Sequence, residues 1–133
     1  MAMGSFAIAL QGFEKKAADQ ARIAVQKIAM EAFQRVIMRS PVDTGRFRAN
    51  WGVSVGSPYA GVDINSFDPD GSVTAAKAMQ AVQAWNGQGD IFLCNNLPYS
   101  IVLEFGHSGQ APQGMVRLTI TEMGGVAQQV ARQ

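Results

Sequence analysis

Apolar side chains return every three or four residues over the first third of the chain: Phe6, Leu10, Phe13, Ala17, Ala21, Val25, Ile28, Ala32 and Val36. That spacing predicts one amphipathic α-helix over residues 6–39. Unbroken, it would measure about 50 Å, more than the core of a single domain of 133 residues can cover. Gly12 is the expected break, leaving a helix over about residues 14–39 and an arm over residues 1–12. The helix has to stop by Ser40, because Pro41 disfavours helical geometry in the residue before it and has no N–H to donate. Off the main stripe, Ile23, Met30 and Ile37 recur at a spacing of seven and form a second, narrower seam. One small sheet cannot cover both seams, so this second one is expected to contact another protein chain.

Beyond Pro41 the pattern changes. Asp43-Thr44-Gly45 reads as a turn, with Asp43 accepting from backbone amides two residues on and Gly45 at positive φ. Trp51, Val53 and Val55 then alternate with Gly52 and Ser54, the period of a half-buried strand. Residues 56–71 form a loop with little apolar surface to offset ordering entropy, expected to be poorly packed until neighbours order it. Its Asp63, Asn65, Asp68 and Asp70 resemble a calcium loop only superficially. Counted from Asp63 or Asp68, the position that should hold a bidentate acid falls on Thr74 or Met79. Ser72 is placed to cap a helix with Ala75, Met79, Val82 and Trp85 on one face, ended by Asn86-Gly87. Ile91 to Asn95 reads as a central strand, apolar almost throughout. Residues 99–105 fit a strand by residue type and a short helix by spacing. Met115, Thr119, Met123, Val126 and Val130 mark a last helix, weakened by Gly124-Gly125. The sum is an α+β fold in one domain, residues 1–133: a small, mostly antiparallel sheet over about residues 49–56 and 90–95, with room for a third strand in the central loop, packed against the first and last helices.

Composition excludes several classes. No run of apolar residues is long enough to span a membrane, since Lys15, Lys16, Arg22 and Lys27 interrupt the first one. The first ten residues hold no Lys or Arg, unlike a secretory signal, so the chain is expected to act where it is made. Cys94 is alone in an apolar run, which rules out a disulfide framework and favours a buried, inert thiol. Formal net charge is only +1, unlike most nucleic-acid binders. Residues 1–50 nevertheless carry eight Lys and Arg against four Asp and Glu, and the rest three against six. Such polarity suits a subunit that meets copies of itself, although solvated helix faces would give the same count.

Catalytic constellations are missing. Glu104 and His107 stand near Ser108, but there is no Gly-x-Ser-x-Gly elbow, and no second histidine or cysteine to hold a metal. No catalytic, cofactor-binding or metal-binding residue is therefore assigned. Glu104 lies between Leu103 and Phe105, where a buried carboxylate needs a partner, and Arg46 or Arg48 is the expected one. The aromatics Trp51, Trp85, Tyr99 and Phe105 are read as core, because neither strand interleaves them with basic residues. Arg46 and Arg48, pointing the same way on an extended segment, are the candidates if DNA is touched at all.

Two segments carry a resemblance: Pro41-Val-Asp-Thr-Gly-Arg-Phe-Arg-Ala-Asn-Trp51 and Asn96-Leu-Pro-Tyr-Ser-Ile-Val-Leu-Glu-Phe-Gly106. Together and in this order they resemble the tail-completion or head-tail joining (neck) proteins of long-tailed bacteriophages. In those proteins a long first helix ends at a Pro-x-Asp-Thr-Gly-x-Leu junction, and a Pro-Tyr-Ala-x-x-x-Glu-x-Gly segment precedes the last helix. Phe47 and Ser100 depart from the leucine and alanine of those patterns. The resemblance marks Pro41, Asp43, Thr44, Gly45, Arg46, Pro98, Tyr99, Glu104 and Gly106 as a structural motif and favours the short helix at residues 99–105. It implies a structural virion protein with no cofactor, forming a homo-oligomeric ring. Its implied partners are connector or neck proteins and tail-tube or tail-terminator proteins, with DNA passing the channel without sequence-specific binding. Assembly would take place in the host cytoplasm. The alternatives are a DNA-binding accessory protein and a small hydrolase using Glu104 and His107.

Overall fold

The first helix, α1, spans Lys15–Arg39 in the computed structural model, which describes residues 15–106 and 108–132. The arm over residues 1–12, the break at Gly12 and His107 lie outside the described residues. After α1 come α2 (Arg46–Ala49), β1 (Trp51–Val55), α3 (Ser72–Gln83), β2 (Ile91–Asn95), α4 (Ser100–Glu104) and α5 (Val116–Ala131). Among the described residues no helix is long and apolar enough to cross a membrane.

α1 is the spine of the fold, with α3 and α5 both packed along it. Arg39 meets Thr119 while Arg35 meets Glu122, so α1 and α5 run antiparallel. The buried face of α1 is broader than the stripe read from the sequence: Val25, Ala29, Ala32, Phe33, Val36 and Ile37 are all inside. This corrects the second seam. Ile37 is 0% exposed and belongs to the subunit's own interior, Met30 is half-buried against the core, and only Ile23, at 43%, is open. A span of seven residues drifts around an α-helix that packs on two partners, so the seam does not stay on one side.

The sheet has two strands, paired antiparallel with Trp51 opposite Asn95 and Val55 opposite Ile91. No third strand forms in the central loop among the described residues. β2 is thus not a central strand, yet its Ile91, Phe92 and Leu93 are buried on both faces, which accounts for the unbroken apolar run. α3 packs against both α1 and β1 and buries Thr74, Ala78 and Val82; of the expected face, Val82 and Trp85 are buried while Ala75 and Met79 are half-buried. Ser72 opens α3 but does not cap it. Asp70 accepts from the Ser72 amide at 3.0 Å and its hydroxyl at 2.8 Å, and Asp68 accepts from the Thr74 amide at 2.7 Å. The Ser72 bonds, with the backbone amide foremost, hold the Asp70 carboxyl below its ordinary range. Two of the acids that imitate a calcium loop are therefore helix caps. α5 runs through Gly124-Gly125 without a break.

Candidate functional site

The two motif segments meet at the C-terminal end of α1. The first begins where Pro41 stops the helix, and Arg48 closes that end: it donates through Nη2 to the Met38 carbonyl at 2.7 Å and through Nε to the Ser40 carbonyl at 3.1 Å. These are two of the carbonyls that a helix C-terminus leaves without partners. A third bond, from Nη1 to the Pro69 carbonyl at 2.9 Å, ties the central loop to the same point. Gly45 takes φ of 90°, as the turn requires, and its carbonyl accepts from the Ala49 and Asp68 amides, both at 3.0 Å. A Cβ there would lie 2.5 Å from the Pro69 nitrogen, so glycine is required by space as well as by φ. The side-chain acceptor in the turn is Thr44, whose Oγ1 receives the Arg46 amide at 3.3 Å, rather than Asp43, which is exposed.

Arg46 and Arg48 do not lie on an extended segment. They sit two apart on the single turn of α2, which sends them to different sides. Arg46 donates through Nε to the Ile64 carbonyl at 2.7 Å and stacks 5.1 Å from the centre of the Phe67 ring. Asn50, 5% exposed, brackets Asp63 by accepting its amide at 2.8 Å and donating to its carbonyl at 3.0 Å. Asn96 donates to the carbonyls of Tyr59 and Gly61. The backbone of loop 56–71 is thus fastened at these points by side chains from both motifs, while most of its residues are exposed, in keeping with the expectation of poor packing. Its apolar side chains point outward: Val62 is 52% exposed, Ile64 58% and Phe67 49%.

Glu104 pairs with neither Arg46 nor Arg48. Its carboxylate, 1% exposed, caps α5: Oε1 accepts from the Met115 and Val116 amides and Oε2 from the Arg117 amide, each at 2.9 Å. Arg117 completes the site, donating from Nε to Oε2 at 3.1 Å and from Nη2 to the Glu104 carbonyl at 2.6 Å, with its guanidinium 4.7 Å from the centre of the Phe105 ring. Three amides at a helix N-terminus and one guanidinium satisfy a buried carboxylate more completely than a single distant arginine. The signal was present in the sequence. α5 begins at Val116 after Met115, which has no side-chain oxygen, so its acceptor had to come from elsewhere. Gly114 and Gly106 make room for the cap: a Cβ on Gly114 would lie 2.4 Å from the Glu104 carbonyl oxygen, and one on Gly106 2.5 Å from the Pro112 carbonyl.

Other residues join the two motifs, and the sequence reading missed them. Gln110 pairs with the backbone of Val42, accepting its amide at 2.8 Å and donating to its carbonyl at 2.9 Å, as a neighbouring strand would. Asn95 donates to the Phe47 carbonyl at 2.8 Å, and the Phe47 and Tyr99 rings lie 5.9 Å apart. Pro41, Thr44, Gly45 and Arg46 therefore line one open groove of about 460 Å³ with Tyr99 and Leu103. The motif glutamate, Arg46 and Arg48 are each bonded to the protein's own backbone.

The family model described as "Bacteriophage HK97-gp10, putative tail-component" matches residues 5–106, which include both motifs. No curated protein and no solved structure matches the chain. With both motifs inside a match that covers most of its length, the chain belongs to the HK97-gp10-like family of bacteriophage tail components.

Proposed function

We propose that the protein is a structural virion subunit at the neck or the top of the tail, where copies close into a ring, complete the tail and join it to the head connector. The observation that carries this reading, beside the family, is the inverted burial of α4. Its carboxylate, Glu104, is inside, while Ile101, Val102 and the adjoining Phe105 are 56%, 50% and 57% exposed. A helical turn that hides its charge and displays its apolar side chains is suited to meet another protein. Val62, Ile64 and Phe67 form a second exposed apolar group on the central loop. A ring needs two unlike faces on each subunit, one for each neighbour. Ile23 extends the candidate contact surface along α1.

The role is structural rather than catalytic, because the motif's charged groups serve the fold. DNA passes the channel without sequence-specific contact, since Arg46 and Arg48 are occupied with carbonyl oxygens. The partners are further copies, the connector or neck proteins, and the tail-tube or terminator proteins, met in the host cytoplasm during assembly and retained in the virion. Native mass measurement of the chain alone and with connector and tail-tube proteins tests this. A closed oligomer or a defined mixed complex is expected. A chain monomeric in every mixture, together with normal tails from a phage that lacks it, would overturn the reading.

A further inference from the structure

We propose that Tyr59 is a latch that sets loop 56–71 in its contact shape before the subunit meets a neighbour. The inference rests on the reading of Val62, Ile64 and Phe67 as one contact group of a ring subunit, and adds what holds that group in place.

The latch is built on two glycines. In β1, Trp51 and Val53 pack against the core, so Gly52 and Ser54 look out from the opposite face of the sheet. A Cβ on Gly52 would overlap three adjacent atoms of the Tyr59 ring, Cδ2, Cε2 and Cζ, almost equally, which places the ring face-on over the strand. A Cβ on Gly61 would overlap the Tyr59 hydroxyl oxygen. Neither glycine takes positive φ, so both are required for room and not for backbone conformation. Glycine inside a strand weakens it and marks the close approach of another group. At Gly52 that group is the Tyr59 ring.

Among the described residues, the backbone of residues 57–65 bonds to no backbone outside the loop. Side chains hold it instead. Asn96 donates to the carbonyls of Tyr59 at 2.8 Å and Gly61 at 3.1 Å, one on each side of residue 60. Ser54, beside Gly52 on the same strand, donates to the Ser57 carbonyl at 2.6 Å. Asn50 and Arg46 hold Asp63 and Ile64 further along. Each of these bonds replaces one to water, so singly they contribute little against the entropy of ordering a loop.

Tyr59 supplies the apolar contact that the bonds lack. It is 36% exposed, with its ring against backbone, while Val62, Ile64 and Phe67 are turned outward. With the ring seated, the loop carbonyls stand at Asn96, Asn50 and Arg46 together, so loop and latch close as one unit. A contact group shaped in advance loses less freedom on association than one ordered by its neighbour.

Residue-resolved hydrogen exchange on the free, full-length subunit tests the latch. The Asp63 amide, bonded to Asn50 Oδ1 at 2.8 Å, and the Ser66 amide, bonded to the Asp63 carbonyl at 3.2 Å, report closure, and both are expected to be protected in the wild type. Tyr59→Ala is expected to speed their exchange by about tenfold, the change when a half-buried ring no longer holds the closed form, and to leave the amides of α1 unchanged. Gly61→Ala, which pushes the ring off its seat, is expected to act in the same direction. Tyr59→Phe keeps the ring carbons on Gly52 and should exchange like the wild type. In native mass measurement Tyr59→Ala is expected to lose the oligomer and Tyr59→Phe to keep it. Asp63 and Ser66 amides that exchange as in an unfolded chain, or that do not respond to Tyr59→Ala, overturn the latch. Faster exchange throughout the Tyr59→Ala subunit also overturns it, by making Tyr59 part of the general fold. A loosened loop with an undiminished oligomer overturns its role in assembly and leaves the ring reading standing. A wild type with protected loop amides that assembles neither alone nor with tail partners overturns the ring reading, and the role in assembly with it.

Discussion

Gly45 shows how much one position can fix. Its φ of 90° and the 2.5 Å approach of a would-be Cβ to the Pro69 nitrogen act together, so Gly45→Val is expected to cost about 1–3 kcal/mol. Chemical denaturation should register the loss as a lower midpoint; an unchanged midpoint would mean that the junction relaxes freely. Glu104 and Arg117 make an asymmetric pair. Glu104→Ala leaves three amides at the start of α5 without their acceptor, and is expected to destabilise by about 3 kcal/mol or more. Arg117 is 49% exposed in its side chain, so Arg117→Ala should cost less than about 1 kcal/mol. Equal losses from the two substitutions would show that the ion pair, not the helix cap, holds Glu104.

Between elements, α1 and α5 are clamped by a half-buried network in which Glu122 accepts from Arg39 at 2.7 Å and from Arg35 at 2.9 Å. The Arg39 bond foremost, with Arg35 behind it, lowers the Glu122 carboxyl below its ordinary value. A carboxyl whose folded pKa lies below its unfolded one contributes stability that is present above the unfolded value and is lost as pH falls through the folded one. The Tm difference between wild type and Glu122→Gln should therefore be constant near neutrality and shrink below about pH 4. A difference that persists in acid would assign it to packing. In α5, Gly124 and Gly125 are exposed and a Cβ on either meets nothing within 4 Å. Gly124→Ala is accordingly expected to stabilise by about 0.5–1 kcal/mol, measurable as a raised Tm.

At the scale of the molecule, the α1 seam separates folding from assembly. Ile37 is fully enclosed, so Ile37→Glu should unfold the subunit, which circular dichroism would register directly. Ile23→Glu alters an exposed position and should leave the fold intact while weakening contact with a neighbour. Native mass measurement on that variant decides the matter: an oligomer of wild-type stability would remove Ile23 from the interface. The exposed apolar faces of α4 and loop 56–71 would then remain as the surfaces a ring can use.

Features set by local chemistry could be read from the chain alone: the stop at Pro41, the positive φ of Gly45, the two strands and the three longer helices. Each depends on neighbours a few residues away, through backbone sterics or side-chain period. The α+β architecture and the motif resemblance followed from those. What the tertiary structure decided were pairings across long stretches of chain: Glu104 with the start of α5, Gln110 with Val42, Asn50 with Asp63, and Ile37 with the core instead of a partner. A buried carboxylate announces that it needs donors, but arginines and free helix amides satisfy that need alike. Only the path of the chain, which brings α5 rather than α2 to Glu104, selects between them.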